Sequence, residues 1–262
     1  MAHVLISRDE RGVATVTLDR PEKRNAFNDQ VIREIEEVFS EAGADDRVRA
    51  IVLTANGPSF CAGADMNWLK ASVNLTDQEN FNDAFEIARM LRIVDTVPKP
   101  TIALVQGAVM GGGAGLVAAC DIAVAIEDAF FAMSEVRLGL IPAAVSPYVV
   151  AAMGVREARR YFVTAERFSA AEALRIGFVH EVVEDGAGLK AARDRILSQL
   201  LACSPGAIAA SKDLIRAVAK NYVNDELMKD TAVRIARQRT SPEGQEGLTS
   251  FIEKRQPNWV VD

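Results

Sequence analysis

Histidine and cysteine are scarce in this chain. Its 262 residues include two histidines and three cysteines. His3 lies in an N-terminal strand-like stretch, and His180 follows Phe178-Val179 and reads as a structural or surface histidine. Neither stands beside a serine nucleophile and no GxSxG turn occurs, which excludes triad hydrolysis. Cys61, Cys120 and Cys203 form no CxxC pair, and no His/Cys cluster has zinc spacing, so metal catalysis is set aside. An odd set of thiols fits a reducing, cytoplasmic compartment. Basic residues are not in excess: 30 Lys and Arg face 36 Asp and Glu, for a net charge of −6. That leaves no positive field for nucleic acid or anionic lipid. The short cluster Arg156, Arg159, Arg160 reads as a solvated helix face. The opening MAHVLISRDE meets charge too early for an apolar signal segment. Residues 101–120 carry no charge and could formally span a bilayer, but five glycines, a glutamine and a strand-like first third mark a buried core instead. There is no GxxxxGK[ST], and the glycines between 107 and 115 do not space as GxGxxG with a clear acidic partner, so a nucleotide cradle is not expected.

What is present is an α/β pattern. Hydrophobic residues make up 49% of the chain and charged ones 25%, which suits one large domain or one with an appended helical piece. Two alternating runs around Asp9–Gly12 read as a hairpin. Asn28 or Asp29 caps a helix to about Ala42 whose stripe is Val31, Ile32, Ile35, Val38 and Phe39. Residues 49–54 read as a buried strand, and Thr76 to Glu79 as a capping box opening a helix to about Val97. Short strands are expected at 122–126, 129–133 and 178–183, a second capping box at Ser169 to Glu172, and helices over 188–202, 205–219, 224–237 and 242–255. The chain therefore reads as α/β with a helical C-terminal extension and no solenoid repeat.

The stretch PTIALVQGAVMGGGAGLVAACD, residues 100–121, organises the rest. It reads as strand, tight turn and the start of a buried helix. Three consecutive glycines cost conformational entropy and are kept where a side chain would obstruct something. A helix start presents free N–H groups and a positive dipole end, so Gly111–Gly113 reads as half of an anion hole. The loop Cys61-Ala62-Gly63-Ala64-Asp65 also follows a buried strand and can supply the other donor. Two converging N–H groups make an oxyanion hole; the plainer reading is two ordinary turns. With histidine set aside, Glu135 is the acid–base candidate, because apolar neighbours raise a carboxyl's hold on its proton. The alternative is an ion pair with Arg137.

Several ordered motifs resemble the crotonase, or enoyl-CoA hydratase/isomerase, superfamily. They are RPEKRNAF at 20–27, FCAGADM at 60–66, PTIALVQGAVMGGGAGL at 100–116, ACDIAVA, SEVRLGL and FIEKRQP at 251–257. The resemblance implies a spiral of ββα units over residues 1–200 and a helical region over 201–262 that serves in trimerisation, often as a dimer of trimers. It implies an acyl-CoA substrate, with CoA as part of that substrate and no metal or redox cofactor. By position, the Ala64 and Gly112 amides would hold the thioester oxygen and Glu135 would move the proton. CoA contacts would come from Lys23, Arg24, Ala26, Ala62, Asp65 and Met66, with Phe251 and Lys254 reaching across from a neighbouring subunit.

The family's hydratases typically use a second glutamate two residues after the glycine triplet, where this chain has Gly115. Room for a branched acyl group is the expected reason. A single carboxylate gives weight to a Δ3,Δ2-enoyl-CoA isomerase, which needs one base to carry a proton from C2 to C4. FCAGADMNWLKAS and SEVRLGLIPAAVSPYVV look closest to bacterial methylglutaconyl-CoA hydratases of leucine breakdown and related acyclic-terpenoid hydratases. Such substrates carry a distal carboxylate, for which Lys70 and Arg137 are the cation candidates. A non-catalytic CoA- or RNA-binding member of the fold is the third reading.

Overall fold

The chain winds as a spiral in which successive turns place one strand in each of two sheets. The computed structural model describes residues 2–219 and 221–260. In the first turn, β1 (Val4–Arg8) pairs antiparallel with β2 (Val13–Leu18) across the expected hairpin. The chain then passes a 3-10 turn at Pro21–Lys23, makes a bridge at Phe27 and enters α1 (Asp29–Ala44). Asn28 caps α1 by accepting from the Val31 amide at 2.9 Å. The inner stripe Val31, Ile32, Ile35 and Phe39 is at most 3% exposed, and each such side chain contributes about 1.5–3 kcal/mol on burial.

The second turn runs through β3 (Ala50–Ala55), parallel to β2, then bridges at Cys61 and Ala64, then α2 (Met66–Ser72) and α3 (Asp77–Thr96). Thr76 and Glu79 make the capping box in both directions. The third turn is β4 (Thr101–Val105), β5 (Ala108–Met110) and α4 (Gly112–Ala119). Between β4 and β5 the chain leaves one sheet for the other at Gly107, whose φ is +58° and where a Cβ would lie 2.0 Å from the Pro58 carbonyl oxygen. Only glycine can turn that corner.

The fourth turn holds β6 (Ile122–Ile126), β7 (Phe130–Ala132), a 3-10 turn at Glu135–Leu138 and α5 (Ser146–Thr164), which is broken at Gly154. The chain continues through β8 (Phe168–Ser169), α6 (Ala170–Arg175), β9 (Glu181–Val183) and α7 (Gly186–Leu201). It ends in α8 (Pro205–Val218), α9 (Asp225–Thr240) and α10 (Pro242–Glu253), which pack on one another.

The larger sheet has the order β1-β2-β3-β4-β6-β9, parallel except for the first pair, and the smaller has the order β5-β7-β8. The Phe27–Ala64 and Cys61–Val109 bridges extend the smaller sheet back through the earlier turns. One face of the larger sheet packs through Ile51, Leu53 and Ala103 into the main core, which α1, α3, α4 and α5 complete. Its other face, with Val52, Ile102, Leu104 and Val124, is covered by Ala192 and Leu197 of α7. This is the expected crotonase-type α/β spiral. No helix among the described residues is long and apolar enough to cross a membrane.

Two local expectations change and a third narrows. The strand expected over 178–183 shrinks to β9, because the Phe178 and Val179 amides both donate to the Ala173 carbonyl at the end of α6. Ser169 caps α6, but Glu172 does not return the bond, since its carboxylate is taken by the Tyr161 hydroxyl and Arg175. His180 is structural: its Nδ1 accepts from the Ala123 amide at 3.1 Å and its own amide donates to the Ala123 carbonyl at 2.8 Å.

Candidate active site

The two glycine-bearing loops meet because the spiral stacks them. In the bridge between Phe27 and Ala64, the Phe27 amide donates to the Gly63 carbonyl and the Asp65 amide donates to the Phe27 carbonyl, both at 2.7 Å. A parallel bridge of this kind engages the flanking residues and turns the N–H of Ala64 to the opposite edge. That edge is where Cys61 pairs with Val109, one residue before β5 ends and two before Gly111. Gly112 is the first residue of α4, so its N–H has no acceptor within the helix. Ala64 and Gly112 both line one cavity of about 550 Å³, and neither amide donates to another described residue.

Glycine at 111–113 is required by close approach. Gly111 has φ +48°, and Cβ atoms at Gly112 and Gly113 would come within 2.8 Å of the Phe27 ring and 2.7 Å of the Cys61 side chain. The backbone amides are thus brought to the cavity wall with no side chain in front of them.

Glu135 faces the same cavity from the start of its 3-10 turn, which Gly139 closes in the left-handed conformation by donating to the Glu135 and Val136 carbonyls. Glu135 Oε2 is buried and has no hydrogen-bond partner among the described residues. Burial raises the pKa of this carboxyl above its ordinary 4.5, against a smaller opposing effect of its own backbone N–H. The expected alternative, an ion pair with Arg137, is absent: Arg137 is exposed and Glu135 Oε2 is unpaired. A cavity with two free amides on one side and an unpaired carboxyl on the other can stabilise an oxyanion while moving a proton.

The comparisons with known proteins agree with this geometry. A family model described as enoyl-CoA hydratase/isomerase matches residues 8–261. The chain belongs to the enoyl-CoA hydratase/isomerase family. It is 44% identical to an enoyl-CoA hydratase from Shewanella pealeana of known structure, with 98% of this chain and 96% of that one covered and a TM-score of 0.95. The structure of Pseudomonas aeruginosa AtuE is 36% identical, with 99% and 100% covered and a TM-score of 0.94. Among sequences, the short-chain-enoyl-CoA hydratase of Clostridium acetobutylicum is 31% identical over 253 residues, covering 96% of this chain and 95% of that protein. The chain is an enzyme of the enoyl-CoA hydratase/isomerase type, acting on enoyl-CoA thioesters.

Within this family member, the residues expected at the site separate into groups. Ala62, Ala64, Met66, Gly112 and Glu135 line the cavity. Lys23 and Arg24 are exposed and Ala26 is buried; their loop abuts the site through the Ala62 amide, which donates to the Arg24 carbonyl at 2.9 Å. Phe251 is 83% exposed on α10, and Lys254 ends that helix in the left-handed conformation, both off this chain's cavity.

Asp65 is placed differently from Ala62, Ala64 and Met66. It is 5% exposed and does not line the cavity; its carboxylate accepts from the Asn67 amide at 2.7 Å and pairs with Arg20 at 2.8 Å. Burial works against its charge, but these partners outweigh burial and hold its pKa below the ordinary value. Asp65 therefore braces the loop that carries Ala64. Lys70 and Arg137 are both exposed, and neither lines the cavity. Gly115 does not border the cavity either, so it gives the substrate no room directly.

The sequence reading missed most of the acyl wall. Asn80, Asp83, Ala84 and Ile87 of α3 line the cavity at helical spacing, which a periodicity search of that helix could have picked out. Leu138, Leu140 and Val145 line it from around the 3-10 turn, where no periodic signal exists.

Proposed function

We propose that this chain catalyses reversible hydration of a branched enoyl-CoA, with the 3-methylglutaconyl-CoA/3-hydroxy-3-methylglutaryl-CoA pair of leucine breakdown as the first substrate to offer. The observation that carries the reading is the buried, unpaired Oε2 of Glu135 in the cavity that Ala64 and Gly112 also line. In this mechanism the two amides hold the thioester oxygen. Glu135 takes a proton from water as its oxygen adds to C3, charge passes to the enolate, and Glu135 returns the proton to C2. Dehydration is the reverse.

The cavity wall is mostly apolar, with Phe27, Trp68, Leu69, Ile87 and Val145 among its members, which supports a hydrocarbon acyl portion. With Lys70 and Arg137 outside it, a distal carboxylate would have to be met by a neutral donor or by a neighbouring subunit. The same single carboxylate favours a second reading, a Δ3,Δ2-enoyl-CoA isomerase in which Glu135 carries a proton between C2 and C4. We also infer a homotrimer or a dimer of trimers, supported by Ile215, Phe251 and Ile252, which are 63%, 83% and 77% exposed on the C-terminal helices. The three free cysteines support a cytoplasmic setting.

A mass-spectrometric assay offering 3-methylglutaconyl-CoA, crotonyl-CoA and 3-hexenoyl-CoA side by side tests the reading. Gain of one water on the first, with little on the second, supports the branched-acid hydratase. Conversion of 3-hexenoyl-CoA to the 2-enoyl isomer without net hydration establishes the isomerase. No turnover of any thioester favours a non-catalytic CoA- or RNA-binding role.

A further inference from the structure

Gly115 sits on the second turn of α4, away from the cavity, and is packed too tightly for any side chain. A Cβ there would lie 2.5 Å from Val145 Cγ1, 3.0 Å from Val145 Cβ and 3.2 Å from Leu91 Cδ1. Val145 is 3% exposed and lines the cavity, whereas Leu91 is fully buried in the main core and does not. Val145 therefore stands between Gly115 and the acyl space. It also precedes α5 directly, at the end of the run Pro142-Ala143-Ala144 that lines the same wall.

We propose that Val145, seated in the notch left by Gly115, sets the width of the acyl cavity and so selects among acyl chains. The inference deepens the function proposed above by naming what discriminates one thioester from another. A β-branched side chain is stiff at χ1 and cannot swing aside without its backbone. The contact reaches Val145 Cβ as well as Cγ1, so pressure from position 115 displaces the whole residue. Gly115 and Val145 thus act as one unit: shortening Val145 widens the cavity, and adding a Cβ at 115 narrows it. One methyl group in an apolar pocket is worth about 10-fold or more in discrimination.

The test measures equilibrium binding of butanoyl-CoA and 3-methylbutanoyl-CoA, saturated probes that need no turnover, to the full-length wild type and three variants. Val145→Ala is expected to raise the preference for the branched probe about 10-fold, and Gly115→Ala to lower it by about as much. In the Val145→Ala background, where the atom nearest a Cβ at 115 is gone, Gly115→Ala is expected to lower the preference by less than about threefold, because residues in direct contact do not act additively. That loss of effect shows that Gly115→Ala acts through Val145 and not through a general packing defect. Unchanged preference in all three variants overturns the proposal, and so does a Gly115→Ala effect that Val145→Ala fails to relieve, which would place the strain on Leu91. If the wild type binds these probes but hydrates no thioester, the hydratase reading fails while the width of the cavity is still tested. If it binds neither probe, both fail.

Discussion

A Cβ on Gly111 would lie 2.8 Å from Glu135 Oε1. The residue before the first helical amide of α4 thus also makes the seat for the Glu135 carboxyl. Gly111 meets both demands with φ +48° and ψ −112°, a conformation open in practice only to glycine. The Gly112 amide and the Glu135 carboxyl are fixed to each other through the backbone of β5 and the start of α4.

Gly111→Ala is accordingly expected to damage activity more than stability. Backbone strain from the positive φ costs about 1–2 kcal/mol, visible as a fall of several degrees in Tm. The new methyl displaces the Glu135 carboxyl, and a misplacement of about 1 Å can cost about 100-fold in rate. Steady-state kinetics beside thermal unfolding separates the two effects; equal kcat in a destabilised variant contradicts the coupling.

Glu135 ties pH to both activity and stability. Burial raises its folded pKa above the ordinary 4.5. As the base, it must be ionised, so kcat/KM is expected to rise with pH through a value above 4.5. For stability, the folded state holds the Glu135 proton more tightly than the unfolded chain does. That contribution is complete below the unfolded pKa and is lost as pH rises through the folded one. Glu135→Gln removes it, so the variant is expected to gain in Tm relative to wild type as pH rises through this window. A constant difference across the window contradicts an unpaired, buried carboxylate.

The Arg20–Asp65 pair carries the loop that presents Ala64. Its side chains are 12% and 6% exposed, and Arg20 also donates to the Ala26 carbonyl at 3.1 Å. Removing one partner leaves the other nearly buried and uncompensated, at a cost of about 3 kcal/mol. Arg20→Ala is expected to lower Tm and to reduce kcat/KM. Arg20→Lys recovers less than half of the loss, because an ammonium lacks the guanidinium fork. Wild-type kinetics in Arg20→Ala would show that the Ala64 amide is held without the pair.

The chemistry was more legible in the sequence than the specificity. The loops 61–65 and 111–113 and the Glu135 carboxylate announce themselves through glycines and position after a strand, the family resemblance singles out Ala64 and Gly112 within those loops, and the repeated strand–corner–strand turns bring all three to one cavity. β5 escapes notice because three residues carry no readable period, although its pairing with β7 places Gly111. Asp65 looks like a free carboxylate in sequence, since nothing there shows that Arg20, 45 positions earlier, returns to it. Gly115 reads as added space, and only packing reveals that Val145 occupies it.

Glu135→Gln tests the central claim most directly. It keeps the shape of the side chain and removes its capacity to ionise. Turnover of the preferred enoyl-CoA is expected to fall by about 10²- to 10⁴-fold, the share that a positioned acid–base group supplies, while the Kd of the saturated acyl-CoA stays within about threefold of wild type, since the oxyanion amides still hold the thioester. Turnover within a few fold of wild type, with binding intact, would contradict Glu135 as the group that moves the proton.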